Sequence, residues 1–243
     1  MMRGHIAAGQ DVIDFAVPHT LAFTFFPAWV SALREDFGSI KSRLIALNVH
    51  DAVLRLVEGS CDLLIAYHHP SQPYQLDADR YEMVSLGQEV IAPYVKPDAQ
   101  GLPLWTVPGK AGQPSPYLAY ASAAYLGQMV DLILKEATSA IHLDRVYETD
   151  MAEGLKAMAL EGHGIAFLPQ SAVKKDVSAQ KLVSALAPHA PALQITMEVR
   201  AYRERPASKE SLRSGLAASR GAGVSPKRSA QALWEYLVQL NAA

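Results

Sequence analysis

The sequence predicts an α/β protein of two lobes with mostly parallel sheets and a hinge, and three observations carry that expectation. Residues 149–169 read as a helix, a glycine turn and a buried strand placed end to end. Residues 11–67 alternate strand, helix, strand, helix, strand, an order that right-handed crossovers fold into a parallel sheet. A run of helix and strand breakers, including Pro97, Gly101, Pro103, Pro108, Gly109, Gly112, Pro114 and Pro116, then separates the first set of elements from a second.

Within 149–169, Met151, Ala152, Leu155, Met158 and Ala159 form a helical stripe, and Thr149 or Asp150 is the natural cap for the first free amides. Gly162 and Gly164 suit a left-handed stop, so the helix is expected to end near Glu161. Ile165, Ala166, Phe167 and Leu168 follow as an unbroken apolar run closed by Pro169, the pattern of a short strand covered on both faces.

Taken in order, residues 11–17 read as the first strand, with a helix over 21–37 capped by Thr20 and ended by Gly38. Pro27 either kinks that helix or marks its true start, because an interior proline removes a backbone bond and clashes with the preceding turn. A strand over 43–49, a short helix capped by Asp51 and stopped by Gly59, and a strand over 61–67 complete the first alternation. Residues 81–95 carry one or two further strands. Beyond the breakers come a strand over 117–121, Ser122 as a cap, a helix over 123–136 and a strand over 143–148. A strand over 193–202 returns the chain to the first lobe, and a last helix over 230–240 presents Leu233, Leu237 and Leu240 at helical spacing. The expected organisation is therefore a tail at 1–10, lobe I from 11–96, hinge and lobe II over 97–192, and a return strand within 193–205. A basic, flexible loop over 206–226 and a C-terminal helix over 227–243 complete it.

With 243 residues, half of them hydrophobic, and a formal net charge of -2, the chain has the composition of a globular protein without global attraction to nucleic acid. Arg200, Arg203, Arg205, Lys209, Arg213, Arg220, Lys227 and Arg228 outnumber Glu204 and Glu210, but no aromatic platform or recognition helix accompanies them. The single Cys61 rules out an internal disulfide framework and fits a reducing, cytoplasmic setting. Residues 1–10 lack the apolar core of an export signal, and the apolar window at 15–30 is too short and too interrupted for a membrane span.

Candidate chemistry concentrates where strands meet helices. Ligands of open α/β sheets sit outside the carboxyl ends of the strands, and three such junctions carry hydroxyl caps, Thr20, Ser122 and Thr149. Free amides and the positive end of a helix dipole suit a carboxylate or another small anion, although each residue also suits a plain cap. His19 lies in the first junction as a possible donor. Met151, at the start of its helix, offers a soft thioether for packing or oxidation, with core packing as the ordinary role. Met158 reads as core and Cys61 as a buried, inert thiol. His68, His69, His142, His163 and His189 have no metal-ligand spacing, and no nucleophile elbow, phosphate loop or dinucleotide fingerprint is present. No metal or cofactor is expected. Asp150, Glu153 and His19 are the only acid-base candidates, without a pairing that marks them as catalytic.

Three segments together resemble the effector-binding domain of LysR-type transcriptional regulators. The turn Pro18-His19-Thr20-Leu21 with Pro27 downstream is similar to the family's first ligand loop. Residues 54–66, LRLVEGSCDLLIA, resemble its L-x-x-G-x-x-D-L-A-I pattern, and residues 160–169, LEGHGIAFLP, its G-x-G-I-A-x-L-P turn. The likeness extends over 11–205 and 225–240; within the family, His19, His68, Tyr125-Leu126-Gly127 and Met151 resemble the hypochlorite-responsive branch.

The resemblance implies a periplasmic-binding-protein-like fold of type II, no enzymatic activity, and a small-molecule effector, anionic or oxidising, held in the cleft between the lobes. Pro18, His19, Thr20, Ser122, Thr149, Asp150, Met151 and Gly164 are the ligand-binding candidates. It further implies a homodimer, tetrameric in full-length regulators, with Leu21, Phe25, Trp29 and Leu33 as candidate contacts. DNA binding in the family belongs to a winged helix-turn-helix and linker helix of about ninety residues, which nothing before Asp11 supplies. The loop at 206–226 is longer than the resemblance predicts. A transporter's solute-binding protein and an enzyme such as a dehydratase are the alternatives on the same fold.

Overall fold

The computed structural model describes residues 11–188, 193–206 and 227–242; the expected tail at 1–10 and nearly all of the expected loop at 206–226 lie outside them. The chain divides into two compact units, residues 1–87 with 198–243, and residues 88–197.

Unit 1 begins with β1 (Ile13–Pro18), which pairs in parallel with β2 (Ser42–Leu47) and β3 (Leu63–His68). Between them run α1 (His19–Thr24), α2 (Phe26–Asp36) and α3 (Val49–Val57). The second half of β9 (Ile195–Glu204) adds antiparallel to β3, with Leu64 opposite Tyr202 and His68 opposite Glu198. The first half of β4 (Tyr81–Val95) lies next in the order β2-β1-β3-β9-β4. Ala16, Ala52, Leu56, Leu64, Ala66, Tyr81 and Tyr202 form one buried cluster of this unit. Phe15 meets Phe26 edge-on at 5.0 Å, fastening α2 to the sheet.

The final helix, α7 (Arg228–Ala242), belongs to the same unit and buries Leu233, Trp234 and Leu237. Two charged groups anchor it. Lys227 donates to Asp14 at 2.5 Å, Asp62 at 2.7 Å and the Val12 carbonyl at 2.9 Å. Arg203 of β9 donates to Glu82 at 2.6 Å and to Gln231 at 2.7 Å while lying 4.6 Å from the Trp234 ring.

Unit 2 repeats the plan: β5 (Ser115–Tyr120) pairs in parallel with β6 (Leu143–Thr149) and β7 (Ile165–Pro169), and β4 joins β7 antiparallel. A short β8 (Val183–Ser184) pairs with the end of β4. The helices are α4 (Tyr125–Lys135), α5 (Ala152–Glu161) and α6 (Gln170–Ser178). Ile165 through Leu168 are fully buried, as an unbroken apolar strand requires, and Tyr117 meets Phe167 edge-on at 6.2 Å. The alternation read from the sequence is thus the observed one in both units.

Local boundaries differ from expectation in instructive ways. Pro27 breaks the first helix, so that α1 closes with the Phe25 amide on the Leu21 carbonyl and α2 restarts at Phe26 with the proline in its first turn. Thr20 is not the cap of this helix: α1 starts at His19, two residues before the expected Leu21, with Pro18 at the cap position. Asn48, not Asp51, caps α3; its side chain accepts from the Asp51 amide at 2.9 Å and donates back to the Asp51 carboxylate at 2.8 Å. The chain passes between units inside the continuous strands β4 and β9, whereas residues 97–116, expected as the crossing, lie within unit 2.

Candidate functional site

In unit 2, β5 and β6 end together, with Tyr120 and Thr149 partnered across the ladder and the Ala121 amide on the Thr149 carbonyl at 2.9 Å. This edge brings Ser122, Thr149, Asp150 and Met151 together around the start of α5. None of these side chains is a helix cap. Ala124 holds the cap position of α4 and Met151 that of α5, both without a side-chain bond. Thr149 is still part of β6, and its hydroxyl accepts a long 3.4 Å bond from the Met151 amide. The first-turn amides of α5 therefore have no capping side chain, while Ser122, Asp150 and Met151 are exposed.

Two polar groups outside the ligand-binding candidates, Tyr120 and Glu153, sit at the same edge. Tyr120 is 3% exposed, and its phenol has no hydrogen-bond partner among the described residues. Burial, with the nearby Glu153 carboxylate adding to it, pushes that phenol well above the usual tyrosine range. Glu153, in the first turn of α5, has both carboxylate oxygens shielded from solvent and likewise unpartnered. Its place two residues beyond Met151 was legible in the sequence; its shielding, which depends on surrounding strands and helices, was not.

Gly164 does not join this group. β7 runs parallel to β5 with Ile165 opposite Tyr117, so Gly164 lies at the amino end of the strands, away from Thr149. Nor is it the left-handed stop: Gly162 takes that conformation at φ 84°, and Gly164 instead permits close approach of the Pro116 carbonyl.

In unit 1, Pro18, His19 and Thr20 stand at the carboxyl end of β1; Pro18 and Thr20 are buried, and His19 is partly exposed. The Thr20 carbonyl accepts from the Thr24 hydroxyl at 2.9 Å. At the same end of the parallel pair, β3 closes on His68, opposite Glu198. Burial first, and then the Arg200 cation, lowers the His68 pKa. Arg200 is itself held by both Glu198 oxygens, at 2.7 and 3.0 Å. Of the expected dimer contacts, Leu21 and Leu33 are core residues, whereas Phe25 and Trp29 are partly exposed and stack at 6.1 Å. Cys61, expected to be buried, is half-buried; burial, reinforced by Asp62, pushes its thiol up to about 12. No helix among the described residues is long and apolar enough to cross a membrane.

Known proteins show the same architecture. Residues 8–239 match the family model of the LysR substrate binding domain. The chain is 28% identical over 183 residues to the HTH-type transcriptional regulator YjiE of Escherichia coli K12, covering 75% of this chain and 56% of that protein. It is 27% identical over 183 residues to the HTH domain-truncated transcriptional regulator QseD of E. coli O157:H7, covering 75% of this chain and 71% of that one. The chain thus spans about half the length of YjiE. Among solved structures, the apo regulatory domain of HypT from Salmonella typhimurium superposes with a TM-score of 0.73 at 23% identity, over 96% of this chain and 97% of that one. Full-length HypT gives the same TM-score and identity over 97% of this chain and 70% of its own. With a family model matching nearly its whole length, the chain belongs to the LysR substrate binding domain family, the effector-binding domain of LysR-type transcriptional regulators.

Proposed function

We propose that the chain senses a small effector at the edge of unit 2 where β5 and β6 end, with an acidic group of that effector received by the first-turn amides of α5. The observation that carries this reading is the uncapped start of α5, set behind Thr149 and the exposed Met151. Amides there have no intrahelical acceptor, and the helix dipole adds to their attraction for an anion. Pro18, His19 and Thr20 form the corresponding candidate set of unit 1, and Asp150 stands exposed beside the start of α5. The reading extends to a homodimer through α1 and α2, with Phe25 and Trp29 as contacts, and to DNA regulation in a longer regulator. A thermal-shift panel of small carboxylates and inorganic anions tests it. A ligand at 100 times its Kd adds about 2.7 kcal/mol, or about 8 °C. Thr149→Val is expected to bind that ligand roughly tenfold more weakly. Full binding by the variant contradicts the site.

A second reading, an oxidant acting at Met151, is favoured by that residue's exposure of 37% at the start of α5. The full-length HypT structure is described as a hypochlorite-specific LysR-type regulator. Under titration with hypochlorite, peptide mass mapping should find the sulfoxide at Met151 no later than at Met83, which is 50% exposed, and before any change at the buried Met129 and Met197 or at Cys61. First modification at Cys61 would remove this reading.

A further inference from the structure

The polar groups at the end of β5 and the start of α5 narrow the effector class, an inference that rests on the ligand edge proposed above. Both oxygens of Glu153 and the phenol of Tyr120 are shielded from solvent and have no hydrogen-bond partner among the described residues. The cations closest in sequence are already engaged. Arg145 pairs with Glu148 at 2.8 Å, and Lys156, one turn along α5, donates to the Ala172 carbonyl at 3.1 Å and pairs with Asp176 at 3.5 Å. A carboxylate taken out of water without a counter-charge is costly, and so is an unpaired phenol. Such a cost is tolerated where a ligand supplies the missing partner.

We infer that Glu153 and Tyr120 together receive a primary ammonium group of the effector. Three acceptors, the two carboxylate oxygens and the phenol oxygen, match the three donors of an ammonium, whereas a planar guanidinium presents its donors as a fixed fork. Combined with an acidic group on the α5 amides, the ligand class is an amino carboxylate.

Two measurements test this. In the unliganded protein, Glu153→Gln removes the uncompensated charge and is expected to raise the melting temperature by about 3 °C. A fall would identify Glu153 as an ordinary structural carboxylate and overturn the inference. Binding is then compared across α-amino acids, α-hydroxy acids and primary amines that share the same carbon skeletons. The amino acids are expected to bind at least about tenfold more tightly than the hydroxy acids. That preference should disappear in Glu153→Gln and weaken in Tyr120→Phe, which keeps the buried ring. Equal binding of amino and hydroxy acids, lost in Thr149→Val, overturns the ammonium pair and leaves the acidic half of the site standing. Amines that bind without a contribution from the carboxylate support the pair and remove the acidic half. Silence from all three series overturns both.

Discussion

Gly164→Ala is expected to melt about 6 °C lower than the parent, a loss of about 2 kcal/mol measurable by urea unfolding. A methyl group built on Gly164 lies 2.8 Å from the Pro116 carbonyl oxygen, 3.1 Å from its carbon and 3.2 Å from Leu118 Cγ. The first two are backbone atoms of β5, the strand that pairs with β7 beside this glycine. They cannot swing aside as a long side chain does, so the two strands must separate where Tyr117 faces Ile165. At Gly162 the close atom is the flexible Cδ of Lys96, and the barrier to substitution is the positive φ instead. A stable Gly164→Ala protein with impaired ligand binding would return Gly164 to the site; a destabilised one that still binds confirms a packing role.

Arg203→Ala carries the largest expected loss, about 3 kcal/mol, because it strips a largely shielded cation from its partners. The Arg203 side chain is 11% exposed and that of Glu82 22% exposed, so solvent does not screen the pair as it would a surface bridge. Removing the arginine also releases Gln231 and uncovers the face of Trp234, loosening α7 from β9. Arg205, 3.4 Å from the second Glu82 oxygen, keeps part of the counter-charge and holds the cost to the lower part of the usual range. Arg203→Lys should recover less than half, since a lysine lacks the planar fork and the stacking surface. Chemical denaturation of both variants checks the ordering; equal stability of Arg203→Ala and the parent would show that α7 is held by apolar contact alone.

What the sequence made legible follows from the range of the forces involved. Apolar periodicity is local, so β7 and α5 are found where residues 149–169 place them, and Pro27 announces the α1 to α2 break. Caps are less legible because several residues compete for each start. Thr149 is an acceptable cap by type, yet its pairing with Tyr120 keeps it in the ladder, and the helix begins three residues later. Ser122 is similarly spent in the turn that precedes α4. The roles of Arg203, Glu198 and Arg200 depend on β9 crossing from one unit to the other and running antiparallel to β3, a pairing far apart in the chain. The spacing of Glu198 and Arg200 on an expected strand does put them on one face, which suits an ion pair but does not identify its neighbour His68. At the candidate site, Thr149 and Met151 were found through their junction and Glu153 as an unpaired acid-base candidate, whereas Tyr120 and the shielding of Glu153 emerge only once burial is known.

Amide chemical-shift mapping on isotopically labelled protein is the most direct measurement of the central claim, with the strongest stabiliser from the thermal-shift panel as titrant. The account predicts saturable shifts at Ser122, Thr149, Met151 and Glu153, while Gly164, at the other end of the strands, stays unmoved. Shifts centred on Gly164 and its neighbours, with the start of α5 unperturbed, would contradict it.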